Sequence, residues 1–81
     1  MTTELEIQGE LIRMRSLLRS GRAEALCRQA GFSNEDVARL LDCTAPSVWM
    51  YFNAGRLPRR ALGLRLARLL EQLEVIRDAL D

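Results

Sequence analysis

Two short helix patterns separated by a three-residue break, between Gly31 and Pro58, constrain this 81-residue chain more than any other feature. Ser33 is an N-cap candidate for the first helix, and the carboxylates that follow it favour a helix dipole. Apolar residues then recur at helical spacing, namely Val37, Ala38, Leu40 and Leu41. After the break, Thr44 can cap a second helix with Pro46 in its first turn, where a missing N–H is tolerated. These signals predict two helices joined by a tight turn.

Helix breaks and apolar spacing elsewhere predict three more helices, and hence an all-α fold of five helices in one compact domain. The first helix is expected over about 4–19 and the second over about 22–30. The fifth is expected from Pro58 to about 79. The domain then consists of an extended N-terminal helix, a helix-turn-helix core and a long C-terminal helix, at residues 1–20, 22–57 and 58–81.

An apolar seam with alternating spacings of four and three runs along the last predicted helix, through Leu62, Leu66, Leu69, Leu73, Ile76 and Leu80. Its second half can pack on the N-terminal helix or on another copy of the chain. The charges of the two terminal helices are complementary, with Arg13, Arg15 and Arg19 against Glu71, Glu74, Asp78 and Asp81. The sequence is consistent with an intramolecular helical hairpin and with a dimer interface. We prefer the dimer, with contacts from Leu66, Leu69, Leu73, Ile76 and Leu80.

The net charge of +1 is unevenly distributed, because residues 46–70 carry five arginines and no carboxylate. A single basic face is typical of a nucleic-acid binder, although alternating charge blocks can also merely solvate helices. Histidine and lysine are absent from the chain, so the common general bases and amine nucleophiles are missing. We therefore expect no enzyme, no cofactor and no metal site. Cys27 and Cys43 are isolated and are expected to be reduced packing residues.

No segment approaches the roughly 18 consecutive apolar residues of a membrane span, and no signal peptide is visible. The expectation is a cytoplasmic protein without a membrane partner.

The central segment resembles the Xre/Cro-repressor type of helix-turn-helix, the phage-repressor-like DNA-binding domains. The resemblance covers about 22–70 and rests on Gly31-Phe32-Ser33, Val37-Ala38, Leu41, Thr44, Ser47-Val48, Asn53, Gly55-Arg56 and Pro58. It implies a small homodimeric, sequence-specific DNA-binding transcriptional regulator, a repressor that acts on a palindromic operator in double-stranded DNA.

The same resemblance implies which residues contact DNA. The fourth helix is expected in the major groove, where Thr44 and Ser47 supply hydroxyl contacts and Trp49 and Met50 supply apolar ones. Phosphate contacts are implied for Asn34, at the start of the third helix, and for residues that follow the recognition helix. The full set of expected DNA-binding residues is Asn34, Thr44, Ala45, Pro46, Ser47, Trp49, Met50, Asn53, Arg56, Arg59 and Arg60.

The chain departs from the family on the surface of the fourth helix, where base-reading positions align with Ala45, Pro46, Trp49 and Met50. None of these side chains can make a bidentate hydrogen bond to a base. An alternative is therefore a helix-turn-helix-derived protein-interaction module, an antiactivator, that uses the apolar Trp49/Met50 surface. Val48 and one of Tyr51 and Phe52 are expected in the core. Ala54 resembles an insertion, and a shift of helix phase there would make Trp49 a core residue too.

Overall fold

A computed structural model describes residues 2–80 of the chain. Its five helices confirm the predicted all-α fold, and no strand occurs in the described range: α1 (Glu4–Ser20), α2 (Arg22–Gln29), α3 (Asn34–Leu41), α4 (Ala45–Asn53) and α5 (Arg60–Leu80). Met1 lies outside this range, as does Asp81, one of the acidic residues expected to complement the first helix. Within residues 2–80, none of the helices combines the length and apolar character needed to cross a bilayer.

Side-chain caps define where the central helices begin. The hydroxyl of Ser33 accepts a hydrogen bond from the N–H of Asp36, and the Asp36 carboxylate accepts one from the N–H of Ser33, which completes a capping box at α3. Thr44 accepts from the N–H of Ser47 at the start of α4. The predicted caps are thus confirmed, and the connection between the two helices is only three residues long.

The fifth helix begins at Arg60 and not at Pro58, as the sequence suggested. Its first backbone hydrogen bond is donated by Gly63 N–H to the carbonyl of Arg59. Pro58 serves as a packing residue ahead of the helix, because its Cγ lies 3.7 Å from the place where a Cβ on Gly63 would be. Gly55 takes a positive φ of 71° after α4, the left-handed conformation that favours glycine.

The core is formed chiefly between α1 and α5, the helix pair in most extensive contact. Gly63 permits the close approach, since a Cβ there would lie 3.1 Å from Met14 Cε and 3.2 Å from Leu11 Cδ2. Ion pairs join Glu4 to Arg60 and Arg13 to Glu74, so the contacts advance in the same direction along both helices. The two terminal helices therefore pack within one chain and run roughly parallel, which is not the arrangement of a hairpin.

This packing corrects the predicted dimer seam. Leu66 is fully buried and Leu73 is 6% exposed within the single chain, in which α5 contacts α1, α2 and α3. Their side chains are therefore not available to a second copy. Leu69 is half-buried, whereas Ile76 and Leu80 are 54% and 82% exposed.

Candidate nucleic-acid interface

Most of the predicted DNA-contacting side chains of α4 share one face of that helix. Val48 is 1% exposed and points into the core, while Tyr51 and Phe52 are both half-buried against it. The sequence left one of these two aromatic residues for the core, and both contribute. On the opposite face are the exposed or half-buried residues Ala45, Pro46, Trp49, Met50 and Asn53. Trp49 is 54% exposed, so the alternative that it is a core residue is wrong.

Two hydroxyls at the start of α4 form a local hydrogen-bond pair. Thr44 Oγ1 donates to Ser47 Oγ at 2.9 Å while also capping the helix. Hydroxyl groups can rotate, so this bond uses one of the two hydroxyl hydrogens and leaves the other available to an external acceptor. Thr44 and Ser47 thus present one free hydroxyl donor at the start of α4.

Asn34 at the start of α3 is held by an arginine that sequence analysis did not single out. Arg28 Nη2 donates to Asn34 Oδ1 at 2.6 Å, and Arg28 Nη1 donates to the carbonyl of Phe32 at 2.9 Å. The same guanidinium lies 5.7 Å from the centre of the Phe52 ring. Because the amide oxygen of Asn34 accepts from Arg28, the NH₂ group is the part of this side chain left to donate a hydrogen bond. Arg28 also lies 3.3 Å from Glu24, four residues earlier on α2, but no local pattern indicates its contacts with Asn34 and Phe52.

Asn53 and Arg56 adjoin one another where α4 ends. Asn53 Nδ2 donates to the carbonyl of Trp49 at 3.1 Å, which leaves one amide hydrogen unused. Arg56 is exposed, with Nη1 3.6 Å from Met50 Sδ. The guanidinium of Arg56 thus lies over the outward face of α4, on the side where Met50 is.

The arginines of the basic cluster predicted after α4 differ in whether a carboxylate lies beside them. Arg60 Nη2 lies 2.6 Å from Glu4 Oε2, and this hydrogen bond lowers the pKa of Glu4 and raises that of Arg60. Arg59 is exposed, and neither it nor Arg56 has a carboxylate within 4.0 Å among residues 2–80. Arg56 and Arg59 therefore carry uncompensated charge beside α4, whereas the charge of Arg60 is largely offset.

Two further cations, Arg15 and Arg19 of α1, adjoin this end of α4. They line a cleft of about 330 Å³ together with Tyr51, Phe52 and Arg56. The sequence predicts that Arg15 and Arg19 complement the acidic end of α5, but only Arg13 of that group reaches Glu74, at 2.7 Å. The spacing of four residues between Arg15 and Arg19 places them on the same face of α1. Which part of the protein lies against that face depends on tertiary packing.

Burial makes both cysteine thiols harder to ionise than an exposed thiol. Cys27 is fully buried, and burial raises the pKa of its thiol to about 11. Cys43, in the turn before α4, is half-buried, and burial raises the pKa of its thiol as well. Both are free thiols in the structure. Among the described residues, no group of Cys, Asp and Glu side chains is arranged to hold a metal ion.

The chain matches no protein-family model, no curated protein and no solved structure.

Proposed function

We propose that the protein is a DNA-binding transcriptional regulator of the phage-repressor-like helix-turn-helix type, with α4 lying in the major groove. The observation that supports this most directly is the outward face of α4, which has two uncompensated arginines, Arg56 and Arg59, immediately after it. On the other side of the short turn, the NH₂ group of Asn34 is a third phosphate donor. Phosphate contacts position such a helix, and base contacts specify the sequence.

The composition of the α4 face determines how sequence would be read. The Thr44–Ser47 pair has one free hydroxyl donor, and Trp49 and Met50 can make apolar contacts with thymine methyl groups. A preference for sequence would then depend on methyl contacts and on DNA shape. A role in transcriptional regulation agrees with the cytoplasmic location expected from the sequence.

The direct test is binding of the purified protein to duplex DNA, with the DNA upstream of its own gene and a random duplex as probes. Arg56→Gln removes a proposed phosphate contact and is expected to reduce the slope of log affinity against log salt by roughly 0.9. Arg68→Gln is the matched control, since Arg68 is an exposed arginine of α5 whose nearest carboxylate, Glu10, is 3.9 Å away. Equal slopes for the two variants, or no binding by the parent protein, would exclude the proposed contact.

We further propose that the regulator acts as a two-fold dimer through the C-terminal end of α5. Val75, Ile76 and Leu80 are 63%, 54% and 82% exposed there, an apolar group on one short stretch of helix. A second copy can cover it, as the family resemblance implies. Sedimentation at micromolar concentration is expected to give about twice the 9.2 kDa chain mass.

Variants of the exposed residues test this dimer without disturbing the core. Ile76→Glu together with Leu80→Glu is expected to yield a monomer, because unpaired carboxylates are costly to bury. Leu5→Glu is the control, since Leu5 is 83% exposed on α1. A parent protein that stays monomeric across the concentration range would rule the dimer out.

The second candidate function is the protein-interaction module, and the exposed indole of Trp49 is the observation that favours it. Trp is enriched among residues that contribute most to protein interfaces, whereas it cannot read a base edge by paired hydrogen bonds. In this case the protein would mask another regulator, and the unpaired arginines would be a solvated surface. Trp49→Ala distinguishes the two functions, because it is expected to weaken binding to the preferred DNA site in one case and to abolish capture of the protein partner in the other.

A further inference from the structure

The cleft between α1 and the end of α4 has the dimensions of a small-molecule site. Its volume of about 330 Å³ lies between the C-terminal half of α1 and the segment that follows Tyr51. Ligand pockets in proteins cover roughly 300–1,000 Å³, so this one is large enough for a single ring with one attached group.

The charge of the cleft selects an anion. Three arginines line it, Arg15, Arg19 and Arg56, and no Asp or Glu does. Seven other arginines lie within 4.0 Å of a carboxylate, but these three do not among residues 2–80. Like charges four residues apart on a helix are mildly destabilising, as for Arg15 and Arg19. An oxyanion held between the guanidinium groups removes that repulsion and accepts charge-assisted hydrogen bonds.

The remaining wall of the cleft is apolar and aromatic. Tyr51 and Phe52 are half-buried, Leu57 is 52% exposed, and the buried Leu18 lies beneath them. A fully hydrated inorganic ion would leave this surface unused. We propose that the cleft binds a small aromatic oxyanion, a ring that carries a phosphate or carboxylate group, with the charged group on the arginines and the ring against Tyr51 and Leu57.

A ligand in this cleft would also affect DNA binding, an inference that rests on the proposed function. Asn53 and Arg56 line the cleft and are also expected to contact DNA phosphates. A ligand whose anionic group engages Arg56 competes with the phosphate for the same guanidinium. The cleft would then be an effector site whose ligand weakens DNA binding.

The experiment is an NMR titration of the full-length protein without DNA, using phenyl phosphate, benzoate and inorganic phosphate as probes. Backbone and arginine side-chain resonances report which residues respond. Phenyl phosphate is expected to perturb Arg15, Arg19 and Arg56 and to bind at least about tenfold more tightly than inorganic phosphate, because burial of the ring adds to the charge interaction. Benzoate, with a single charge, is expected to bind the same residues more weakly.

A pair of charge-matched variants controls for general attraction to a basic protein. Arg15→Gln with Arg19→Gln is expected to weaken phenyl phosphate binding about tenfold or more, whereas Arg22→Gln with Arg68→Gln leaves it within about twofold. Thermal melting of both variants establishes that they are folded. Equal losses in the two variants, or equal affinity for phenyl phosphate and inorganic phosphate, would overturn the site.

The test also distinguishes this site from an extension of the DNA interface. If Arg15→Gln with Arg19→Gln weakens duplex binding while the parent protein does not bind phenyl phosphate, the arginines are phosphate contacts and the effector site is excluded. If the parent binds phenyl phosphate but no DNA, the ligand site stands and the proposed function fails.

Discussion

Arginines at the contact between α1 and α5 are paired with carboxylates, whereas those around the end of α4 are not. Glu74, nearly buried, lies 2.7 Å from Arg13 and within 4.0 Å of Arg22 and Arg77. At the other region, Arg15, Arg19 and Arg56 surround an open cleft without a carboxylate. Since the chain has nearly as many acidic as basic residues, the difference lies in their placement. One region satisfies its charges internally, and the other leaves them for an external anion.

Apolar residues follow the same division. Leu66, Leu70 and Met14 are at most 2% exposed where α1 meets α5, while Trp49 and Leu57 are more than half exposed near the end of α4. Exposed tryptophan contributes little to folding and is often found at interfaces. The comparison predicts that substitutions in the first region change stability and that those in the second change binding.

The largest effect on stability is expected at Leu66. Leu66→Ala removes a fully buried side chain and is expected to lower the free energy of unfolding by about 2–5 kcal/mol, because it leaves a cavity. Leu80→Ala makes the same deletion on the same helix at a residue 82% exposed in the single chain, and its expected effect on the monomer is below about 0.5 kcal/mol. Urea unfolding followed by circular dichroism measures both. If the two variants lost similar free energies of unfolding, the seam along α5 would not be buried at Leu66 and exposed at Leu80.

A bulky side chain at Gly63 tests the close approach of the two long helices. Gly63→Leu would force a side chain into space now occupied by Met14 Cε and Leu11 Cδ2, and is expected to cost about 1–3 kcal/mol. The control is Gly9→Leu, because a Cβ on Gly9, a residue of α1, meets no atom within 4 Å. A Gly63→Leu variant as stable as Gly9→Leu would mean that α1 and α5 are less tightly packed than the structure shows.

Local signals explain why so much of the fold could be predicted. The caps at Ser33 and Thr44 act over three residues, and apolar periodicity identifies the buried face of each helix, so element bounds agree within two residues. Periodicity does not say which surface covers that face. Leu66 and Leu73 therefore have the spacing of a dimer seam and are still buried within the single chain, where α5 contacts α1, α2 and α3. The ion pair of Arg60 with Glu4 joins residues 56 positions apart, and no pattern in the sequence indicated it.

For the candidate site, sequence predicted the composition of the α4 face but not its surroundings. The outward position of Trp49 follows from helical spacing with Val48 as the buried residue. The cleft beside it depends on where the C-terminal half of α1 lies, and no pattern within α1 specifies a contact with α4. The sequence consequently assigned Arg15 and Arg19 to the carboxylates at the end of α5, whereas in the structure they line the cleft beside α4.

Substitution of Trp49 affects binding more than folding if the two regions differ as described. Trp49→Ala is expected to change the free energy of unfolding by less than about 1 kcal/mol, because the indole is more than half exposed. In a DNA reader, affinity for the preferred site falls by about 1–3 kcal/mol while binding to random DNA persists. In an interaction module, capture of the partner is lost and DNA binding is unchanged. A stable variant with unaltered operator preference would count against α4 as the reading helix.

The smallest effect is expected at the capping box of α3, which supports Asn34 and the start of the proposed interface. Hydrogen bonds from the backbone N–H and the hydroxyl of Ser33 hold the pKa of Asp36 below its ordinary value of 3.8, with a lesser contribution from Arg39. A carboxyl whose pKa is lower in the folded state adds stability above its unfolded pKa, and that stability is lost as the pH falls through the folded value. Asp36→Asn is therefore expected to be less stable than the parent at pH 7.

The difference between parent and Asp36→Asn is expected to shrink as the pH falls below 3.8, and to be lost once the pH passes the lower folded-state pKa, where the parent carboxyl is also neutral. Thermal melting at pH 7 and at several acidic values measures it. Glu35→Gln removes a neighbouring first-turn charge without touching the capping box, so it is the control for a general dipole effect. If Glu35→Gln showed the same pH profile as Asp36→Asn, the reciprocal hydrogen bonds of the box would add nothing beyond the helix dipole, and the orientation of Asn34 would depend on Arg28 alone.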